Sequence, residues 1–149
     1  MTSIRRILEV KGHALYSIQR DTRAAEALRI MGEKKIGFLV VLDGERLVGV
    51  FSERDIIRLL NDPATLKLDC PIHEVMTTPV VAVGLETSVD DCLGLMAEND
   101  IRHLPVMDRS NSKVLGVVSI RDMVREAVAD RGTMADGLRK YVNSGDYLV

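Results

Sequence analysis

The sequence predicts an α+β fold of two β-α-β-β-α repeats, and three observations predict it. Gly49-Val50-Phe51-Ser52-Glu53-Arg54-Asp55 returns 67 residues later as Gly116-Val117-Val118-Ser119-Ile120-Arg121-Asp122, each copy leading an apolar strand into a helix. Thr22 to Val41 match Thr87 to Val106 at a constant offset of 65. In both halves the same order of helical and strand-like apolar spacings recurs.

Taken in order, Ser3 to Val10 reads as an opening helix and Ala14 to Ile18 as the first strand. Ala24, Ala27, Leu28 and Met31 then share one helix face, at i, i+3, i+4 and i+7, with Asp21-Thr22 as caps. Phe38 to Leu42 and Leu47 to Phe51 flank Asp43-Gly44, a hairpin signal because glycine tolerates positive φ. A helix with Ile56, Ile57, Leu59 and Leu60 closes the first half. Asn61 to Ile72, with Pro63 and Pro71, reads as a connector, since proline lacks a backbone donor.

The second half repeats the plan. Val80 to Val83 is its first strand, and Val89, Cys92, Leu93 and Met96 form its helix stripe behind Glu86-Thr87-Ser88. Leu104 to Met107 and Val114 to Val118 are joined through Asp108 to Lys113, a loop two residues longer, which raises the offset from 65 to 67. Met123, Val124, Ala127 and Val128 mark its last helix. Met134, Leu138, Tyr141 and Val142 suggest a final helix, weakened by Gly137 and expected to pack on its own domain, with a docking helix for another protein as the alternative. The expected organisation is residues 1–68 for the first repeat with its opening helix, 69–130 for the second, and 131–149 for the tail. Units of about 60 residues are marginal alone, so they are expected to pack through their apolar faces.

Composition narrows the function. Twenty basic residues against 22 acidic ones give a net charge of −2, and the basic residues are scattered, which argues against nucleic acid and anionic membranes. No apolar run approaches the roughly 18 residues that span a bilayer, so a cytoplasmic protein is expected. Cys70 and Cys92 lack metal or redox spacing, as do His13, His73 and His103, so no metal is expected. Neither a phosphate loop nor a nucleophile with its base is present, and Asp90-Asp91, adjacent at a helix start, point in different directions. Catalysis is not expected.

The repeated junction supports two readings. As a capping box, Ser52 and Ser119 accept from first-turn N–H groups while Asp55 and Asp122 reach back to the cap. As an anion site, the same helix starts hold a phosphate. Arg54 and Arg121 favour the second, because a cation in the first turn opposes the helix dipole by about 0.3 to 1 kcal/mol unless an anion is bound. Gly49 and Gly116 favour it too, since glycine weakens a strand unless something approaches its backbone closely. The carboxylates suit ribose hydroxyls. A base would need an apolar slot, for which Ile36, Gly37 and Phe38, Ile101, Leu104 and Pro105, and the strands of Tyr16 and Val80 are candidates; plain core is the alternative for Ile36, Ile101 and Val80.

Together these residues resemble tandem cystathionine β-synthase (CBS) domains, the Bateman module, from about Ile7 to Ala129. The resemblance rests on the paired glycine-apolar-x-Ser-x-x-Asp motifs, on Val75-Met76-Thr77-Thr78-Pro79 and on Arg102-His103-Leu104-Pro105-Val106. It implies two CBS repeats packed with pseudo-twofold symmetry, an adenosine-containing ligand (AMP, ADP, ATP, NAD or S-adenosylmethionine) between them, and a flat homodimer. By motif position, Asp55 and Asp122 would hold ribose. Ser52, Arg54, Ser119, Arg121, Arg102 and His103 would contact phosphate, and Thr77 would join the adenine wall. The first repeat has Gly37-Phe38 where the second has Arg102-His103, which implies fewer phosphate contacts there. The expected function is a stand-alone regulatory module that needs no cofactor and reports nucleotide state, as an energy sensor, to an effector protein or through its own dimer. The alternative is an oligomerisation module with vestigial sites.

Overall fold

The computed structural model describes residues 2–129; the expected tail helix of 131–149 lies outside the described residues. The chain divides into two compact units. One comprises Ala14–Val81 with Asp108–Val114 and carries the first repeat. The other comprises residues 2–13, Ala82–Met107 and 115–129 and carries the second.

The first-repeat unit contains β1 (Ser17–Gln19), α2 (Ala24–Lys34), β2 (Phe38–Asp43), β3 (Arg46–Ser52) and α3 (Glu53–Asn61), then a 3-10 turn at Ile72–Glu74. Its sheet runs β1-β2-β3, with β1 parallel and β3 antiparallel to β2. The parallel pair is possible because α2 carries the chain back. Gly44, at φ +63°, turns the β2–β3 hairpin, and the Gln19 amide bonds both its N–H and its carbonyl. The α2 stripe is buried at Ala24, Ala27 and Met31, and it packs with Ile18, Leu39, Val41, Phe51, Leu59 and Ile72 in one core.

The second-repeat unit contains α1 (Ile4–Lys11), β4 (Val83–Gly84), α4 (Val89–Asn99), α5 (Ile120–Ala129) and all but the loop-side ends of β5 (His103–Asp108) and β6 (Lys113–Ser119). Its sheet runs β4-β5-β6, with β4 parallel to β5. Val89, Cys92 and Met96 are buried as the stripe requires, and burial pushes the Cys92 thiol up to about 11. Among the described residues no helix is long and apolar enough to cross a membrane.

Three details differ from the sequence reading. The opening helix, α1, falls in the unit of the second repeat, where Ile4 and Arg5 donate their N–H groups to Thr87 and Leu85 carbonyls. The first strand of each repeat starts later and is shorter than Ala14–Ile18 and Val80–Val83, since pairing begins only where Ser17 meets Val40 and Val83 meets Val106. Finally, α2 starts without a side-chain cap: Ala24 and Ala25 donate to the Cys70 and Leu68 carbonyls of the connector. Backbone acceptors there satisfy the orphan donors that Asp21 and Thr22 were expected to take. Ser88, by contrast, caps α4 by accepting from Asp91 N–H at 3.0 Å.

Candidate functional site

Each Ser-x-x-Asp junction sits where the last strand of a sheet runs directly into a helix. The bond that fixes the bend is the same in both: Glu53 N–H donates to the Gly37 carbonyl at 3.2 Å, and Ile120 N–H to the Arg102 carbonyl at 2.8 Å. Both junctions are also capping boxes. Ser52 N–H and Ser119 N–H each donate to the aspartate three residues on, at 2.8 Å, and Asp122 N–H donates back to the Ser119 hydroxyl at 3.3 Å. The caps are real; what differs is the remaining capacity of each carboxylate.

Asp55 is spent. Its Oδ2 accepts from Ser52 N–H and hydroxyl, and its Oδ1 accepts from the Arg58 guanidinium and, at 2.7 Å, the Thr77 hydroxyl. The residue is 2% exposed. Thr77 is locked in turn, exchanging two backbone bonds with Val50, at 2.8 and 3.1 Å. Asp55→Ala should therefore destabilise the protein by about 1.5 to 3 kcal/mol, the worth of a hydrogen bond to a charged group, since the acceptor removed is buried. Urea unfolding against wild type measures it, and a midpoint unchanged within error would contradict the structural role.

Asp122 is built differently. Ser119 N–H, the Ser119 hydroxyl at 3.0 Å and the Lys11 ammonium at 2.6 Å all converge on Oδ2. Its side chain is 11% exposed and that of Lys11 is 36% exposed. Burial pushes the carboxyl up, but the Lys11 ammonium and the two Ser119 donors outweigh it and leave it below its ordinary 3.8. A folded value below the unfolded one means this contribution to stability is present above pH 3.8 and fades as pH falls through the folded value.

The glycines have a steric explanation within each unit. A Cβ on Gly49 would lie 2.3 Å from Met76 Sδ, and one on Gly116 would lie 3.2 Å from a Leu8 methyl. What approaches the backbone closely is thus a side chain of the same unit. Arg54 and Arg121 do stand exposed in the first turns of α3 and α5. Glu53 and Asp55 flank Arg54, however, so that first turn carries net negative charge and the dipole penalty is offset.

The remaining candidates sort by unit. Tyr16, Ile36, Gly37, Phe38, Thr77 and Val80 belong with Ser52, Arg54 and Asp55; Ile101, Arg102, His103, Leu104 and Pro105 belong with Ser119, Arg121 and Asp122. Phe38 lies opposite Ser52 in the β2–β3 ladder. Ile36 and Gly37 line a cavity of about 410 Å³ with Leu28, Met31, Gly32, Lys35, Glu53 and Ile56, and neither Ser52 nor Asp55 lines it. The Glu53 side chain lies over Gly37, where the second repeat has Arg102, and a Cβ there would meet the flexible carboxylate end of Glu53. Leu104 and Pro105 are buried, whereas Ile101 and His103 are half-buried and Arg102 is exposed. Two partners escaped the sequence reading. Arg58 had a visible signal, three residues after Asp55 on one helix face. Lys11, 111 residues from Asp122, had none.

The CBS domain family model matches residues 7–62 and again 72–129. The chain belongs to the CBS domain family. Its relatives include an uncharacterized 17.7 kDa protein of Acidianus ambivalens, 37% identical over 133 residues that cover 89% of this chain and 78% of the relative. The CBS domain pair of protein MJ0100, solved with 5′-methylthioadenosine and S-adenosyl-L-methionine, superposes with a TM-score of 0.74 at 26% identity, covering 88% of this chain and 99% of that one. The CBS domain protein PAE2072 of Pyrobaculum aerophilum, solved with AMP, gives a TM-score of 0.70 at 26% identity over 81% and 89% of the two chains. In CBS terms the two units are a tandem pair, and the α+β class with two three-stranded sheets agrees with the sequence reading.

Proposed function

We propose that this CBS pair is a non-catalytic regulatory module that binds an adenosine-containing ligand, with Asp122 as the ribose acceptor and Ser119, Arg121, Arg102 and His103 on the phosphate side. The observation that carries the reading is the Asp122 carboxylate, partly open at a helix start and held by one flexible lysine. Relatives of the same fold hold AMP and S-adenosylmethionine. In the first-repeat unit the saturated Asp55 favours a vestigial site. Ligand state is passed on through a homodimer or an effector protein, because binding that favours one conformation or assembly shifts the population toward it. Ile57, 69% exposed, and Leu60 give α3 an apolar outer face for such a contact. The cytoplasm is the compartment proposed, where Cys70 and Cys92, which are not disulfide-bonded, stay reduced.

A thermal-shift series with AMP, ATP, NAD and S-adenosylmethionine tests this. A ligand at a hundredfold its dissociation constant adds about 2.7 kcal/mol, enough to raise the midpoint by several degrees. If none moves the midpoint at millimolar concentration, and calorimetry registers no heat, the module does not bind adenosine compounds.

A further inference from the structure

Lys11 is set in place by packing. Ile4, Ile7 and Leu8 bury one face of α1, and Leu8 sits over Gly116 of β6. The helix stops at Gly12, at φ +91°, whose N–H donates to the Leu8 carbonyl at 2.7 Å. Just beyond it, His13 Nδ1 meets the Leu115 carbonyl at 3.0 Å. The last turn of α1 is thereby pinned along Leu115, Gly116 and Val117, and the Lys11 ammonium donates both to the Val117 carbonyl, at 3.0 Å, and to Asp122 Oδ2.

The repeat shows what this lysine replaces. Val50 is the counterpart of Val117, and its carbonyl accepts from Thr77 N–H, while Thr77 hydroxyl and Arg58 hold the counterpart carboxylate, Asp55. A backbone bridge and two side chains in one unit correspond to a single half-exposed ammonium in the other. Freeing the carboxylate in the first arrangement means moving two side chains, one of them on a segment fixed by backbone pairing. The second opens by rotating one flexible four-carbon stem.

A vicinal diol needs both oxygens of a carboxylate, and Oδ2 already takes three donors. We infer that Lys11 is the specificity-determining residue of the Asp122 site: a resident counter-ion that the ribose hydroxyls displace, and whose freed ammonium then pairs with an anionic group on the ligand. This rests on the proposed function. A neutral nucleoside must displace the ammonium and offers it nothing in return. A nucleotide returns a charge-assisted bond to phosphate.

The test is calorimetric titration of adenosine and of AMP into wild type and into Lys11→Met, which keeps the apolar stem and removes the charge. Adenosine should bind the variant more tightly than wild type, and the preference for AMP over adenosine should fall by about tenfold or more, the worth of one charge-assisted hydrogen bond. Should Lys11→Met fold poorly, Lys11→Gln serves as the second variant. If AMP binds wild type and the AMP-to-adenosine ratio is the same in the variant, the lysine has no selective role and the inference falls alone. If neither compound binds wild type, the inference falls, and the proposed function falls with it only when ATP, NAD and S-adenosylmethionine also fail to bind.

Discussion

Asp122→Ala is expected to weaken AMP binding by about a hundredfold while leaving the fold intact. The magnitude follows from two hydroxyl-to-carboxylate bonds at about 1.5 kcal/mol each, the low end for charge-assisted pairs, with every 1.4 kcal/mol counting tenfold. The stability cost is about 1 kcal/mol, that of one helix cap, because the Lys11 ammonium is partly exposed and regains water. Asp55→Ala should do the reverse, costing stability and leaving affinity where it was, because that carboxylate is consumed by Ser52, Arg58 and Thr77. Titration calorimetry on both variants separates the two roles. Unchanged affinity in Asp122→Ala would remove ribose recognition from the site.

Phe51→Ala should cost about 3 to 5 kcal/mol, the range for truncating a fully buried aromatic to alanine. Phe51 has no solvent exposure, faces Leu39 across the β2–β3 ladder and is the largest side chain in a core that also holds Met31, Leu59 and Ile72. Against a typical domain stability of about 5 to 15 kcal/mol, such a loss brings the protein close to unfolding at ambient temperature. Urea denaturation reads it directly. A loss below about 1 kcal/mol would mean that the cavity collapses and that packing here is looser than the burial indicates.

The elements legible in advance were those specified by short-range chemistry. The α2 and α4 stripes gave Ala24, Ala27 and Met31, then Val89, Cys92 and Met96, as buried faces. Asp43-Gly44 gave the hairpin, and the Ser-x-x-Asp spacing gave the two capping boxes. The glycines stand at points of close approach, and the protein groups that approach are Met76 and Leu8. Sequence shows that a backbone position needs room; it does not show for whom. The cap of α2 was missed for a similar reason, since the carbonyls of Leu68 and Cys70 carry no residue-type signature.

The sequence by itself determined the duplication, the order of elements in each half and the two serine-aspartate helix starts, because periodicity, turns and caps act over a few residues. Only the tertiary structure decided that the two aspartates are unequal. That difference is made by Thr77, 22 residues from Asp55, and by Lys11, 111 residues from Asp122. A carboxylate's free capacity depends on which donors folding brings within about 3 Å of it, and at those separations the chain order places no constraint on which they are. The near-identical motifs therefore end as one closed cap and one carboxylate held by a movable lysine.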